Sequence, residues 1–342
     1  MNSWMSALDD GKKWTYIKTI PSTHNSGAIR PFDKCQTIPW LWAKCQNKSI
    51  INQLNMGIRG FDLRLVYSPE DVYIGHYLLS SLTFGDIMYA FKEFLNNNPS
   101  EFIFIFLKPD WATRHKWNYD NIQCFWDDMK EFDDYTKGYD NTIFIDPNID
   151  ITNVIIKNIR GKVILIPDGR LSQYINPSIN VGVGSLSMNI FNVCETWNKN
   201  TLNKAKDTII HFINTYCKMN NKVRDCIKRG GCVKDNGCGV KEHDEIKEED
   251  NIHEDMKNNY NLFNNKIYNI IQLNVVMPAL PPYFVSVYMN KWFMKEWFMN
   301  AMNTHLGFVS VDFANIKFMK QLIALNYSLC IFQPLRKNPL QK

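Results

Sequence analysis

Two histidines, two aspartates, an arginine and a lysine stand at or near the ends of apolar runs in this chain. His24 lies in Pro21-Ser-Thr-His24-Asn25-Ser-Gly27, a turn-rich loop after the alternating stretch Trp14–Ile20. Asp62 and Arg64 are two apart in Gly57-Ile-Arg-Gly-Phe-Asp62-Leu-Arg64-Leu65, so in a strand they share one face. His76 ends Val72–His76, Lys108 follows Glu101–Leu107, and Asp312 follows Gly307–Val311. Two histidines can divide base and acid work. Asp62 and Asp312 can each orient an imidazole and stabilise its charged form. The Arg64 guanidinium is a fixed cation whose fork suits phosphate oxygens. Together these groups suit phosphodiester cleavage without a metal. Any one of these histidines alone is more simply a hydrogen-bonded structural residue, and Asp62 with Arg64 could be a structural ion pair. The chemical reading rests on all of them falling at strand ends.

The elements that must position them follow from periodicity. Ile50–Met56 reads as a helix, and so does Leu82–Asn97, where Thr83 and Asp86 form a capping pair ahead of an apolar face of Ile87, Phe91, Phe94 and Leu95. Glu101-Phe-Ile-Phe-Ile-Phe-Leu107 is continuously apolar, as in parallel strands buried on both faces. Further strands are expected at Thr142–Ile145, Lys162–Ile166, Asn269–Val275 and Gly307–Asp312. Further helices are expected near Asn118–Tyr135, Thr201–Cys217, Val285–Asn303 and Ile316–Asn326. This alternation points to an α/β chain, a TIM-type (β/α) barrel whose strand ends converge on one mouth, although a doubly wound sheet fits the pattern too.

Composition narrows the class. The chain has 342 residues, 45% of them apolar, enough for a sizeable core and too many for wholesale disorder. Lys plus Arg is 39 and Asp plus Glu is 34, a net charge of 39 − 34 = +5. That is weak for a nucleic-acid binder and compatible with an anionic membrane surface. No run reaches the ~18 apolar residues of a membrane-spanning helix, and the N-terminus lacks the apolar core of a secretory signal. A cytoplasmic chain attached peripherally to membrane is therefore expected. The nine cysteines are expected to be reduced thiols. From about 217 to 259 the rhythm breaks into a charged, Gly- and Cys-containing segment that reads as a solvated insertion. Its Cys217, Cys226, Cys232 and Cys238 miss the paired spacing of structural zinc sites, and no metal site is expected.

The order of these motifs carries a resemblance. Ile20-Pro-Ser-Thr-His24-Asn25-Ser-Gly27, Ile51-Asn-Gln-Leu-Asn-Met-Gly57-Ile-Arg-Gly-Phe-Asp62-Leu-Arg64, Ile74-Gly-His76 and Phe94-Leu-Asn-Asn-Asn-Pro99-Ser-Glu101 through Lys108 resemble the X domain of phosphatidylinositol-specific phospholipase C. The likeness is dense over 14–108 and returns at Gly307-Phe-Val-Ser-Val-Asp312. It is closest to the small single-domain, metal-independent bacterial type. Cys45-Gln-Asn-Lys-Ser-Ile50 also resembles the trypanosome enzyme that cleaves glycosylphosphatidylinositol. The resemblance implies a distorted TIM-type barrel forming one domain over 1–342. It implies His24 as base, His76 as acid, Arg64 at the phosphate, Asp312 supporting His24, and Asp62 holding Arg64 or His76. The products would be diacylglycerol and an inositol 1,2-cyclic phosphate.

Arg64 stands where calcium-dependent members carry an acidic residue, so neither calcium nor any other cofactor is expected. Asn25 stands where bacterial members usually have Asp and cannot support His76 as a charge. The resemblance also places Lys108, Glu195, Trp197 and, more weakly, Arg170 against the inositol ring. Trp40 and Trp42, in Pro39-Trp-Leu-Trp42, would form a membrane contact beside Lys44 and Lys48, or pack inside. Trp292–Met299 reads as core. The expected partners are phosphatidylinositol or a glycosylated anchor and the membrane surface, with no nucleic acid, and the chain is expected to be a monomer. Two rivals remain: a related glycerophosphodiesterase-type barrel, which would need a metal-binding Glu-x-Asp where Asp62-Leu-Arg64 stands, and an inositol-lipid-binding module that has lost turnover.

Overall fold

Alternating side chains on the strands build one mostly parallel sheet with apolar matter on both faces. The computed structural model describes residues 1–33, 37–68, 71–110, 121, 124–125, 127, 153–167, 171, 191–196, 198–199, 201–217, 268–275, 281–296 and 304–327. The expected strand Thr142–Ile145 and the segment 218–259 lie outside these residues, as do Arg170 and Trp197.

Among the described residues seven parallel strands are β1 (Thr19–Thr23), β2 (Gly60–Tyr67), β5 (Ile103–Pro109), β6 (Val163–Pro167), β7 (Phe191–Cys194), β8 (Tyr268–Gln272) and β9 (Gly307–Val311). Their lateral order is β6-β5-β2-β1-β9-β8-β7. Read as a ring, this is chain order, with β9 beside β1. A hairpin, β3 (Val72–His76) and β4 (Leu78–Thr83), extends the distal half of β2 antiparallel. Helices α1 (Thr37–Ala43), α2 (Ile50–Asn55), α3 (Phe84–Asn97), α4 (Ile156–Ile159), α5 (Leu202–Phe212), α6 (Pro282–Glu296) and α7 (Ile316–Ala324) alternate with the strands.

Period-2 alternation assigns the two faces. On β5, Ile103, Ile105 and Leu107 belong to the layer under the helices, while Phe104 and Phe106 belong to the opposite face with Ile20, Ile164, Ile166, Ile270 and Phe308. The register aligns Gly60 with Phe104, Asp62 with Phe106 and Arg64 with Lys108. It also aligns Ile20 with Phe308 and Ser22 with Ser310. Along this inner face the residues turn from apolar to small and polar, then to His24, Arg64, Lys108, Asn274 and Asp312. The barrel-like interior is therefore packed at its base and chemical at its mouth. Gly307 enters β9 at φ +74 with the Asn269 carbonyl oxygen 2.1 Å from where a Cβ would stand, so a side chain there would force the strands apart.

Two elements differ from the sequence reading. The first strand starts at Thr19, not Trp14. Residues 14–16 form a single 3-10 turn that buries Trp14 against Phe104, Tyr268 and Phe308 at the base, so the apparent alternation belongs to a plug. The helix expected from Leu82 begins at Phe84, because β4 runs through Thr83. Thr83 is its N-cap, and a reciprocal pair with Asp86 closes the capping box. Among the described residues no helix is long and apolar enough to cross a membrane.

Candidate active site

The inner-face residues at the strand C-termini converge. His24 follows β1, where its backbone N–H donates to the Val311 carbonyl (3.0 Å) and so extends the β1–β9 pairing by one step. Its Nδ1 donates to Asp312 Oδ1 at 2.8 Å. That bond fixes the tautomer, leaving a lone pair on Nε2. Asn274 Nδ2 donates toward that nitrogen at 3.3 Å, and Asp62 Oδ2 lies 3.8 Å from it. Gln46 Nε2 donates to both the His24 and Val311 carbonyls at 2.9 Å, and its Oε1 accepts from the Ala314 N–H at 3.3 Å. This buried amide holds the two histidine-bearing and aspartate-bearing loops together.

His76 arrives on the β3–β4 hairpin. Its ring centroid is 6.2 Å from that of His24, the planes nearly perpendicular. Nδ1 donates to the Ala43 carbonyl at 2.8 Å, with Cys45 Sγ at 3.5 Å. The second nitrogen, Nε2, is then unprotonated in the neutral ring. Burial, with the charge of a facing His24, pushes its pKa down to about 4. At neutral pH the ring is therefore uncharged.

Asn25 lies in the left-handed region at φ +41. Its Nδ2 donates to Cys45 Sγ at 3.5 Å and its backbone N–H to Asp62 Oδ2 at 3.4 Å. The thiol thus stands between Asn25 and His76. Burial pushes the Cys45 thiol well above its ordinary range, and Asp312 acts in the same direction.

Asp62 is expected to hold Arg64 or His76, and the Arg64 charge does act on its carboxyl. Its ion-pair partners among the described residues are Lys108, Nζ to Oδ1 at 3.6 Å, and His24. Burial alone would raise the Asp62 carboxyl, but Lys108, His24 and Arg64 together outweigh it and hold it below the usual range. Arg64 stands across the β2–β5 register from Lys108, and its buried Nε has no hydrogen-bond partner among the described residues. A guanidinium whose N–H is turned from water and left unpaired is suited to an incoming anion.

Glu195 lies just past β7 with its side chain exposed. The expected surface role of Trp40 is also corrected. Trp40 is 3% exposed, packed with Ala28, Ala43 and Cys45, while Trp42 is 47% and Leu41 54% exposed. Residues two apart on a helix lie about 200° around its axis, so the two indoles face opposite ways. Reasoning from sequence missed Asn274, Gln46 and the Ala43 carbonyl. Asn274 had a signal, since it is a polar residue near the end of an expected strand.

Comparison with known proteins finds likenesses in fold and, over part of the chain, in sequence. Solved structures of bacterial phosphatidylinositol-specific phospholipase C share the fold. The enzyme from Listeria monocytogenes superposes over 95% of this chain and 98% of its own, with a TM-score of 0.61 at 17% identity. One from Staphylococcus aureus gives 0.63 at 17% identity over 95% and 97%. Residues 33–160 match the family described as phosphatidylinositol-specific phospholipase C, X domain. That segment carries Asp62, Arg64, His76 and Lys108 but not His24 or Asp312. A curated relative, the 1-phosphatidylinositol phosphodiesterase of Staphylococcus aureus strain Newman, is 30% identical over 165 residues, 48% of this chain and 49% of the relative. The chain therefore spans about half the length of the curated relatives it matches. These comparisons return the resemblance read from the sequence.

Proposed function

We propose that this protein is a phosphodiester lyase acting on phosphatidylinositol or its glycosylated anchors at a membrane surface, in a barrel that closes between β6 and β7. The observation that carries the reading is the pair of histidines set 6.2 Å apart by ring centroid, with the unpaired Arg64 Nε buried at the same mouth. His24 Nε2, its lone pair fixed by the bond to Asp312, takes the proton of the inositol 2-hydroxyl. The oxygen attacks the neighbouring phosphorus, a step favoured because both groups sit on one ring. Arg64 and Lys108 stabilise the charge that builds on the phosphoryl oxygens. His76 delivers a proton from Nε2 to the departing diacylglycerol oxygen. The low pKa of the empty site makes this conditional on the substrate, whose anionic phosphate must draw the proton onto Nε2. Lys108 and Glu195 are assigned to ring hydroxyls, with Trp197 and Arg170 as further contacts.

The test is phosphorus NMR of the soluble products from phosphatidylinositol vesicles in chelator. Inositol 1,2-cyclic phosphate is the expected product. Stable lipid binding with no product would favour the inositol-lipid-binding module, a reading that Asn25 and the depressed His76 keep in play.

Cofactor independence follows from Arg64, which puts a fixed cation where a divalent ion would need carboxylates. Arg64→Ala is expected to lower kcat by about 10²–10³-fold, the usual cost of losing one preorganised donor to a developing anion. Chelator should leave the unaltered protein's rate unchanged, and calcium-dependent activity would refute the argument.

The exposed Leu41 and Trp42 on α1 adjoin α6, which exposes Tyr283, Phe284 and Tyr288. This apolar rim is assigned to membrane contact, and it takes the place of the Trp40–Trp42 pair. Leu41→Ser with Trp42→Ser is expected to cut the rate on vesicles about tenfold or more, since each buried side chain contributes ~1.5–3 kcal/mol. Hydrolysis of soluble inositol cyclic phosphate should be nearly unchanged. Equal losses on both substrates would make these packing residues.

A further inference from the structure

The catalytic reading leaves Cys45 without a task, although its thiol is fully enclosed at the centre of the site. His24, Cys45 and Asp312 each bring one donor atom within 4.8 Å of the others, and all three side chains are buried. They come from separate segments: the end of β1, the turn after α1 and the end of β9. One sulfur, one nitrogen and one oxygen donor suit zinc-like cations, whereas calcium and magnesium take oxygen alone. A thiolate and the Asp312 carboxylate would supply two negative charges to match a divalent ion. Asp62, 3.8 Å from His24 Nε2, adds to that field, while Arg64 and Lys108 oppose it. Three protein ligands leave a fourth position for water or a phosphoryl oxygen.

We infer that His24, Cys45 and Asp312 form an inhibitory site for a zinc-class divalent cation, overlapping the catalytic centre. Binding stands on the ligands alone; the loss of cleavage rests on the proposed function. On binding, the Cys45 S–H bond breaks, its proton passes to water, and a sulfur–metal bond forms with no change of oxidation state. With Nδ1 as the ligand, Asp312 gives up its hydrogen bond to His24, and the 2.8 Å contact widens to roughly 3.3 Å, the ligand separation around a tetrahedral zinc with ~2.0–2.1 Å bonds. If Nδ1 becomes the ligand, the ring proton moves to Nε2; if Nε2 does, its lone pair is taken. Either way His24 cannot accept the inositol proton.

The test uses the reduced full chain titrated with cobalt(II) as a spectroscopic probe, then displaced by zinc. One equivalent is expected to give a thiolate-to-cobalt charge-transfer band that Cys45→Ser and Cys45→Ala both lose. The other cysteines make this difference, not the total uptake, the informative quantity. Zinc is expected to stop release of inositol cyclic phosphate from phosphatidylinositol vesicles. Where a Cys45 variant keeps turnover, its half-inhibiting zinc concentration should rise about a hundredfold, the upper end of what even an outer-shell change costs. X-ray absorption of the unaltered zinc-loaded protein should find one sulfur among nitrogen and oxygen neighbours, so the question does not depend on a variant that fails to fold. A band that persists in both Cys45 variants, or an all-sulfur shell, overturns the site. A Cys45-dependent band in a protein that cleaves no inositol lipid would uphold the site while refuting the catalytic reading.

Discussion

Replacing His24 with alanine is expected to lower the rate of cyclic phosphate release by about 10⁴-fold or more, with the fold intact. A positioned general base contributes ~10²–10⁴-fold by itself. This imidazole has a second role, because Asp312 and Asn274 are both arranged around it. Without the ring, Asp312 is left as a buried carboxylate without its imidazole partner, and among the described residues the other imidazole at the mouth, His76, is tied through Nδ1 to the Ala43 carbonyl. Asp312→Asn is expected to lose less, because the ring remains but its tautomer is no longer fixed. The measurement is single-turnover formation of the cyclic product, with circular dichroism to check the fold. A His24→Ala rate within about tenfold of the original would remove His24 as the base, since a general base alone contributes ~10²-fold at least.

The second large effect concerns stability, at the opposite pole. Glu101→Gln is expected to cost about 3–5 kcal/mol, the usual penalty for stranding one member of a buried ion pair. Arg59 and Glu101 have fully buried side chains, with Nη2 2.8 Å and Nε 2.9 Å from Glu101 Oε2. Arg59 Nη1 also donates to the Leu54 and Ile58 carbonyls and Nη2 to that of Asn2, while its guanidinium rests on the Phe94 ring. Glu101 accepts from the Met5 N–H at 3.0 Å. Burial pushes the Glu101 carboxyl up and the Arg59 guanidinium down, so each partner is held in its charged form by the other. The double change Arg59→Met with Glu101→Leu should recover part of the loss by removing the uncompensated charge. It cannot recover all of it, because three carbonyls lose their donor. Urea unfolding of the single and double variants decides the matter, and a Glu101→Gln loss below about 1 kcal/mol would mean water reaches the pair.

Much of this architecture is legible in the sequence, because apolar runs end where chemistry begins. Glu101–Leu107 reads as a doubly buried strand, and the buried strand β5 lies two residues further on at Ile103–Pro109, while the step of two from Asp62 to Arg64 places both on the inner face. Features carried by the backbone are not legible. The Ala43 carbonyl that fixes the His76 tautomer leaves no trace in residue types. The role of Cys45 depends on α1 turning back beneath the hairpin, and no local pattern encodes that return. Trp14 misleads in the other direction, since its spacing imitates a strand while its bulk fills the base. The two tryptophans of α1 were decipherable from helical geometry alone, as an i, i+2 pair cannot share a face.

The pairing of β1 with β9 sets an order of assembly. His24 and Asp312 are 288 positions apart, and the strands that carry them join only when the last strand docks beside the first. Closing so long a loop makes the last pairing entropically costly and non-local, the kind of contact that slows folding. During synthesis the first His-bearing strand emerges long before its aspartate exists. In a chain made only as far as β8, His24 has no Asp312 to hold its ring. Completion of the His24–Asp312 pair is thus a check on chain integrity: a protein truncated before β9 keeps His24, His76 and Arg64 and still lacks the carboxylate that orients His24.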